Sequence, residues 1–187
     1  MNGSPTAFVM TTFHERKLSL SVEISLRLAR RSDLPKLEWY GQYSHFRAVY
    51  RRTFQEMQQG NRLMIIADCQ DFPIGQVFVQ LRSQERHIAQ EGLRAYLYSL
   101  RVMEMFRGLG IGSRLIHEAE AIVTSMNYTW VTIAAAKTNS KARKLYERMG
   151  YRVFADDPGE WSYTDHRNIV QYVHDPCWLL EKNLRLR

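Results

Sequence analysis

The residues best equipped for chemistry lie in two short stretches. The first is "FRGLGIGSRL", Phe106 to Leu115, where Gly108, Gly110 and Gly112 alternate with Leu109 and Ile111. Arg107 stands in front of this run and Ser113 closes it. The second, "NSKARKLYERMGY", starts at Asn139 and holds Tyr146. Apolar residues at Ile111, Leu115, Ala119, Ile122 and Met126 recur at helical spacing, so a helix is expected to start inside the glycine run. A helix N-terminus exposes unpaired N–H groups and partial positive charge. Glycines let those amides close on an anion, and successive amides form a nest. Arg107 adds a formal charge at the rim, and phosphate or pyrophosphate is the natural guest.

The spacing excludes two common phosphate motifs. After Gly108 and Gly110 a dinucleotide fingerprint needs glycine where Ser113 stands. A Walker loop needs G-K-[ST], which the chain lacks. Tyr146 reads in two ways. A phenol, with an ordinary pKa of about 10, can give a proton or a hydrogen bond to a leaving group. Ala142, Leu145, Tyr146 and Met149 also form an apolar stripe, which suits a core tyrosine.

The elements that must position these residues follow in order. "VEISLRLARRSDL" alternates like a strand. Ser32 or Asp33 then caps a helical stretch, broken at Gly41, that runs to about Gln59. "RLMIIADC" and "IGQVFVQL" read as a hairpin across "QDFP". "LRAYLYSLRVM" is a further strand before the glycine run, and "YTWVTIAAA" follows the first long helix. "NSKARKLYERM" is a helix stopped at Gly150. "YRVFAD" and "IVQYVHDPCWLLEKNL" are the two last strands, with the polar loop "DPGEWSYTDHRN" between them. The expected fold is one α/β (α+β) domain with a mixed, mostly antiparallel sheet flanked by helices, over residues 21–187. Residues 1–20 are expected to form a flexible leader.

Composition bounds the rest. A chain of 187 residues with 45% hydrophobic content builds one sizeable core. No apolar run approaches the roughly 20 residues of a membrane span, and the start lacks a secretory pattern, so a cytoplasmic protein is the expectation. Cys69 and Cys177 are too few and too distant for a disulfide framework, and the histidines show no paired metal spacing. The net charge of +7 suits nucleic acid, an anionic membrane or a polyphosphate ligand, but the basic residues are scattered in small groups.

Taken together, R-G-L-G-I-G and N-x-x-A-x-x-L-Y-x-x-x-G-Y resemble the GNAT N-acetyltransferase superfamily. The pyrophosphate motif of that family matches at Arg107, Gly110 and Gly112, and its second motif matches at Asn139, Ala142, Leu145, Tyr146, Gly150 and Tyr151. The resemblance implies acetyl-coenzyme A as co-substrate, with its pyrophosphate on Gly108, Leu109, Gly110, Ile111, Gly112 and Ser113. It implies that the pantetheine arm pairs with backbone around Leu100 and Val102, where the strand splays from "WVTIAAA". It implies Asn139 as a contact to the arm or as a support for the second helix, and Tyr146 as the acid for the departing thiolate. Two departures from the family pattern are Glu104, where many relatives carry proline, and Leu109, where lysine is common.

The acceptor is then an amine of a small molecule or peptide. Its base is sought among Glu38, His45, Glu104, His174 and Asp175. Asp156, Asp157, Glu160 and Asp165 stand with Trp161 and Tyr163 in the loop between the last strands, a composition that suits a cationic, partly apolar amine. A homodimer through "IVQYV" is open to the chain. The alternatives are a non-catalytic coenzyme A-binding module, distinguished by no thiol release with an amine, and a basic nucleic-acid-binding protein, distinguished by affinity that collapses with salt.

Overall fold

A computed structural model describes residues 21–185. The expected leader lies outside the described residues. The main sheet has seven strands in the order β1-β2-β3-β4-β5-β9-β6. These are β1 (Ser25–Leu28), β2 (Arg62–Cys69), β3 (Phe72–Gln80), β4 (Arg94–Val102), β5 (Trp130–Ala136), β6 (Arg152–Asp157) and β9 (Cys177–Asn183). Every neighbouring pair is antiparallel except β4 and β5. The fold is therefore the mixed, mostly antiparallel single domain that the sequence pattern indicates.

Alternation along the strands sends side chains to two cores. Ile65, Ala67, Val77, Val79, Ala95 and Leu97 meet Leu115, Ile116, Ala119 and Val123 of helix α2 (Ile111–Ser125). Tyr146 of helix α3 (Ser140–Arg148) joins this core. On the other face Met64, Ile66 and Phe78 pack with Tyr50 of helix α1 (Arg47–Gln58). Helices α2 and α3 thus cover one face and α1 the other. No helix among the described residues is long and apolar enough to cross a membrane.

Three expectations change. The stretch before Gln59 is not one broken helix. It is three 3-10 turns, Arg31–Asp33, Lys36–Glu38 and Ser44–Phe46, followed by α1. Trp39 and Tyr40 take left-handed φ of 42° and 58°, which no helix continues through. The polar loop is not a loop, because Glu160–Thr164 forms β7 and pairs with β8 (Val170–His174) as a separate two-stranded sheet. "IVQYVHDPCWLLEKNL" is accordingly two strands, parted at Asp175 and Pro176. Pro176 has no N–H to donate to a ladder. Gly159 allows the close passage there, since a Cβ on it would sit 1.9 Å from the Asp175 carbonyl oxygen. "IVQYV" is therefore one arm of a hairpin and not an edge of the main sheet. The final strand, β9, lies inside that sheet between β5 and β6.

Candidate active site

The site is built where β4 and β5 part. Their ladder runs from Arg94↔Trp130 to Leu97↔Ile133 and stops, although β4 continues to Val102 and β5 to Ala136. Both strands stay paired on their outer sides, β4 with β3 and β5 with β9. The gap between them is a cavity of about 220 Å³ lined by β4 from Leu97 to Arg101, β5 from Ile133 to Ala136, and Asn139, Ala142 and Tyr146.

A bulge shapes the β4 wall. Between the pairs Gln76↔Arg101 and Phe78↔Tyr98, one residue of β3 faces Ser99 and Leu100. Ser99 has φ of 54°, a left-handed conformation costly for a residue with a Cβ. Gln76, 1% exposed, stabilises it by donating Nε2–H to the Ser99 carbonyl at 3.3 Å and to Ser99 Oγ at 3.1 Å. Sequence reasoning missed Gln76 and Ser99. No glycine marks the bulge, and a glutamine in an apolar strand is its one trace. Leu100, expected to offer backbone groups, lies in this bulge beside the gap. Val102 lies at the end of β4, paired with Gly75, and its carbonyl accepts from Arg107 Nε at 3.1 Å.

The glycine run begins beyond that strand end. Gly108 and Gly110 have φ of 81° and 78°, so the chain turns there in a way that residues with a Cβ resist. The first hydrogen bond of α2 runs from Arg114 N–H to the Gly110 carbonyl. Among the described residues, the amides of Gly108, Leu109, Gly110, Ile111, Gly112 and Ser113 donate to no backbone carbonyl. This is an orphan set of donors at a helix N-terminus. It suits an anion, with no Cβ at Gly108, Gly110 or Gly112 to block it.

Tyr146 projects from α3, whose start is fixed by Asn139. The Asn139 side chain accepts from Ala142 N–H at 3.0 Å, so this residue is an N-cap that also borders the cavity. The Tyr146 side chain is 5% exposed. Burial alone pushes its pKa up to about 12, with no hydrogen bond contributing to the shift. A protonated phenol with an uncommitted hydroxyl therefore lines the gap. The expected core position holds for Tyr146, and the same side chain borders the cavity.

On the opposite face the β7–β8 hairpin closes against the turn Ser44–Phe46. Phe46 lies 4.9 Å from Tyr163 and stacks on Trp161 at 6.4 Å, and His45 is 6.2 Å from Tyr163. Arg101 reaches into this cluster from β4. Its guanidinium sits 4.5 Å from the Tyr43 ring and 4.6 Å from the Phe46 ring, and it donates to Tyr50 Oη at 3.1 Å.

The carboxylates of the hairpin region do not face this cluster as free anions, which corrects the sequence expectation. Asp157 accepts from Gly159 N–H, and Asp165, 2% exposed, accepts from the Arg167 and Ile169 amides and from Gln171. The Ile169 amide, with those of Arg167 and Gln171, holds Asp165 below the usual carboxylate range. Asp156 pairs with Lys137, and Glu160 with His174. A short acidic side chain near a tight turn is used by the turn itself.

The candidate bases separate in the same way. Glu38 accepts from Arg47 and Ser44, and these bonds keep it ionised and occupied. Glu104 sits in the 3-10 turn Glu104–Phe106, His174 faces Glu160, and Asp175 lies at the foot of the hairpin. His45 stands in the aromatic cluster, where burial and then Arg101 lower its pKa and favour the neutral ring. Burial likewise pushes the Cys177 thiol up to about 11, which keeps it protonated.

Residues 28–151 match the model of the acetyltransferase (GNAT) family, well over half of the chain. The chain belongs to the GNAT acetyltransferase family. Acetyl-coenzyme A is the co-substrate of its enzymes, and this protein is an enzyme of that kind. Among solved structures it is similar to Arabidopsis thaliana NAA60 in complex with acetyl-CoA, at 20% identity and TM-score 0.66, covering 87% of this chain and 99% of that one. It is also similar to Arabidopsis thaliana Naa50 in complex with the bisubstrate analogue CoA-Ac-MVNAL, at 19% identity and TM-score 0.61, with 87% and 99% covered. A third similar structure is the spermidine N-acetyltransferase SpeG chimera from Vibrio cholerae and hSSAT, at 17% identity and TM-score 0.65, with 87% and 96% covered. No curated protein matches the sequence.

Proposed function

We propose that this enzyme transfers the acetyl group of acetyl-coenzyme A to an amine of a small molecule or peptide by direct attack on the thioester. The observation that carries this is the gap between β4 and β5. It is bordered by Tyr146 on the α2–α3 side and by Arg101 with its aromatic cluster on the α1 side. A donor arm and an acceptor can enter from opposite faces and meet in such a gap.

The orphan amides from Gly108 to Ser113, with Arg107, would hold the pyrophosphate. The free side of β4 from Tyr98 to Val102 would offer backbone groups to the arm. The amine nitrogen attacks the thioester carbon, the C–S bond breaks, the electron pair leaves on sulfur, and the amine loses a proton. Tyr146 serves this step as a hydrogen-bond donor to sulfur. Full proton transfer from a phenol of pKa about 12 to a thiolate with a reference pKa near 8.5 is uphill by about 5 kcal/mol, so the hydrogen bond and not the transfer stabilises the developing charge. Among the candidate bases, His45 is the one whose surroundings favour a neutral ring able to accept the amine proton.

The test is calorimetric titration with acetyl-coenzyme A of the wild type and Gly110→Glu, followed by thiol release over an amine panel. Binding that the variant loses, with thiol release that requires an amine, is the expected result. A folded wild type that binds no acetyl-coenzyme A would overturn the reading. Binding without amine-dependent thiol release would leave a coenzyme A-binding module instead.

A further inference from the structure

Among the described residues, the cation beside the gap, Arg101, makes no ion pair. Its nearest polar partner is the neutral Tyr50 hydroxyl, and two aromatic rings fix the guanidinium in place. Two acidic groups near this cluster, Glu38 and Asp165, are engaged by other partners. Glu38 is bound by Arg47 and Ser44, and Asp165 by the hairpin tip. The guanidinium carries five N–H donors in a planar fork, and among the described residues its bond to Tyr50 leaves most of them unused.

Such a group repels a bare ammonium and attracts a carboxylate in planar, bidentate fashion. Tyr43 and Phe46 flank it, and Trp161 and Tyr163 extend the aromatic surface beyond Phe46, which suits an apolar or aromatic body. We infer that the acceptor is a small amine that carries a carboxylate on an apolar body, as an apolar α-amino acid does, with Arg101 binding the carboxylate while the amine points into the gap. This rests on the acetyltransferase reading above and names the substrate class of that same site. It replaces the cationic amine that the acidic residues of the hairpin suggest in sequence.

The test compares three acceptors that differ only at the carboxylate position: L-phenylalanine, L-phenylalaninamide and 2-phenylethylamine. Thiol release from acetyl-coenzyme A gives kcat/KM for each, and calorimetry gives acetyl-coenzyme A affinity separately. Wild type is expected to favour L-phenylalanine by roughly 10- to 100-fold, the range of charge-assisted hydrogen bonds. Arg101→Gln should reduce that preference to near one, and Arg101→Lys, which keeps charge but loses the fork, should retain part of it. A purely structural Arg101 would depress all three acceptors alike and leave their ratio unchanged. Equal or better use of the amide or the amine by wild type overturns the inference, whether or not the variants fold. So does failure of all three acceptors while acetyl-coenzyme A still binds. Absence of acetyl-coenzyme A binding instead fails the acetyltransferase reading on which the inference stands.

Discussion

Replacing Tyr146 by phenylalanine separates catalysis from packing more sharply than any other single change. The ring is 5% exposed and packs in the α2–α3 core, while burial alone, with no hydrogen bond, shifts the pKa of the hydroxyl. Phenylalanine keeps the ring and removes an oxygen that contributes no protein hydrogen bond. The stability cost is therefore below about 0.5 kcal/mol, because no native bond is broken and no partner is stranded. The catalytic cost is larger. A hydrogen bond to a charged group is worth about 1.5–3 kcal/mol, or roughly 10- to 100-fold in kcat. The KM for acetyl-coenzyme A should change little, since a bond strengthened only as charge develops on sulfur does not hold the ground state. Thiol release and a thermal melt on the same preparations measure both quantities. The pH profile adds a check. Burial holds Tyr146 protonated up to about pH 12, so the wild-type rate should show no falling limb near pH 10 from this group. A variant within threefold of wild-type kcat, or one that melts several degrees lower, would refute the assignment.

The other predictions follow from the same geometry. Gly110→Ala and Gly112→Ala should part company. The first forces a Cβ into φ of 78° and costs about 1–2 kcal/mol, whereas the second meets only Val102 Cγ2 at 3.9 Å and should melt like wild type yet bind acetyl-coenzyme A more weakly by calorimetry. Gln76→Leu strands the Ser99 carbonyl of the bulge. It should cost about 1–3 kcal/mol, some 3–10 °C in Tm, with acetyl transfer reduced as the β4 wall relaxes. Alkaline unfolding should begin above pH 10. The Tyr50 and Tyr146 phenols have folded pKa values raised to about 12, so the stability present below pH 10 is lost as pH rises toward 12, by up to about 3 kcal/mol per phenol. Chemical denaturation at pH 8, 10 and 11 measures this, and Tyr146→Phe should soften the decline.

Legibility in sequence followed the range of the interactions. The glycine turn and the Gly150 stop depend on backbone groups within four residues of each other, so Gly108, Gly110 and Gly150 were readable as written, whereas Asn139 entered only through the family motif. Helix α2 was readable from its periodicity, although Ile116 and Val123 carry core positions where Met126 lies outside the helix and is 41% exposed. The hairpin of β7 and β8 was not readable. Its strand Glu160–Thr164 is mostly polar or exposed, and it exists through cross-strand pairing to Val170–His174 and aromatic contact with Phe46.

The sequence by itself determined a glycine turn at a helix start, a tyrosine on the following helix, and the order of the elements from β2 to β6. Those features rest on local backbone geometry and on the period of apolar residues, which a linear chain carries directly. Only the tertiary structure decided where the charges end up. Hairpin turns consume Asp157 and Asp165, and Arg47 consumes Glu38, while Arg101, distant from all three in sequence, pairs with no carboxylate among the described residues. Charge balance at a site is a sum over neighbours in space, and this chain brings those neighbours together only when the sheet is built.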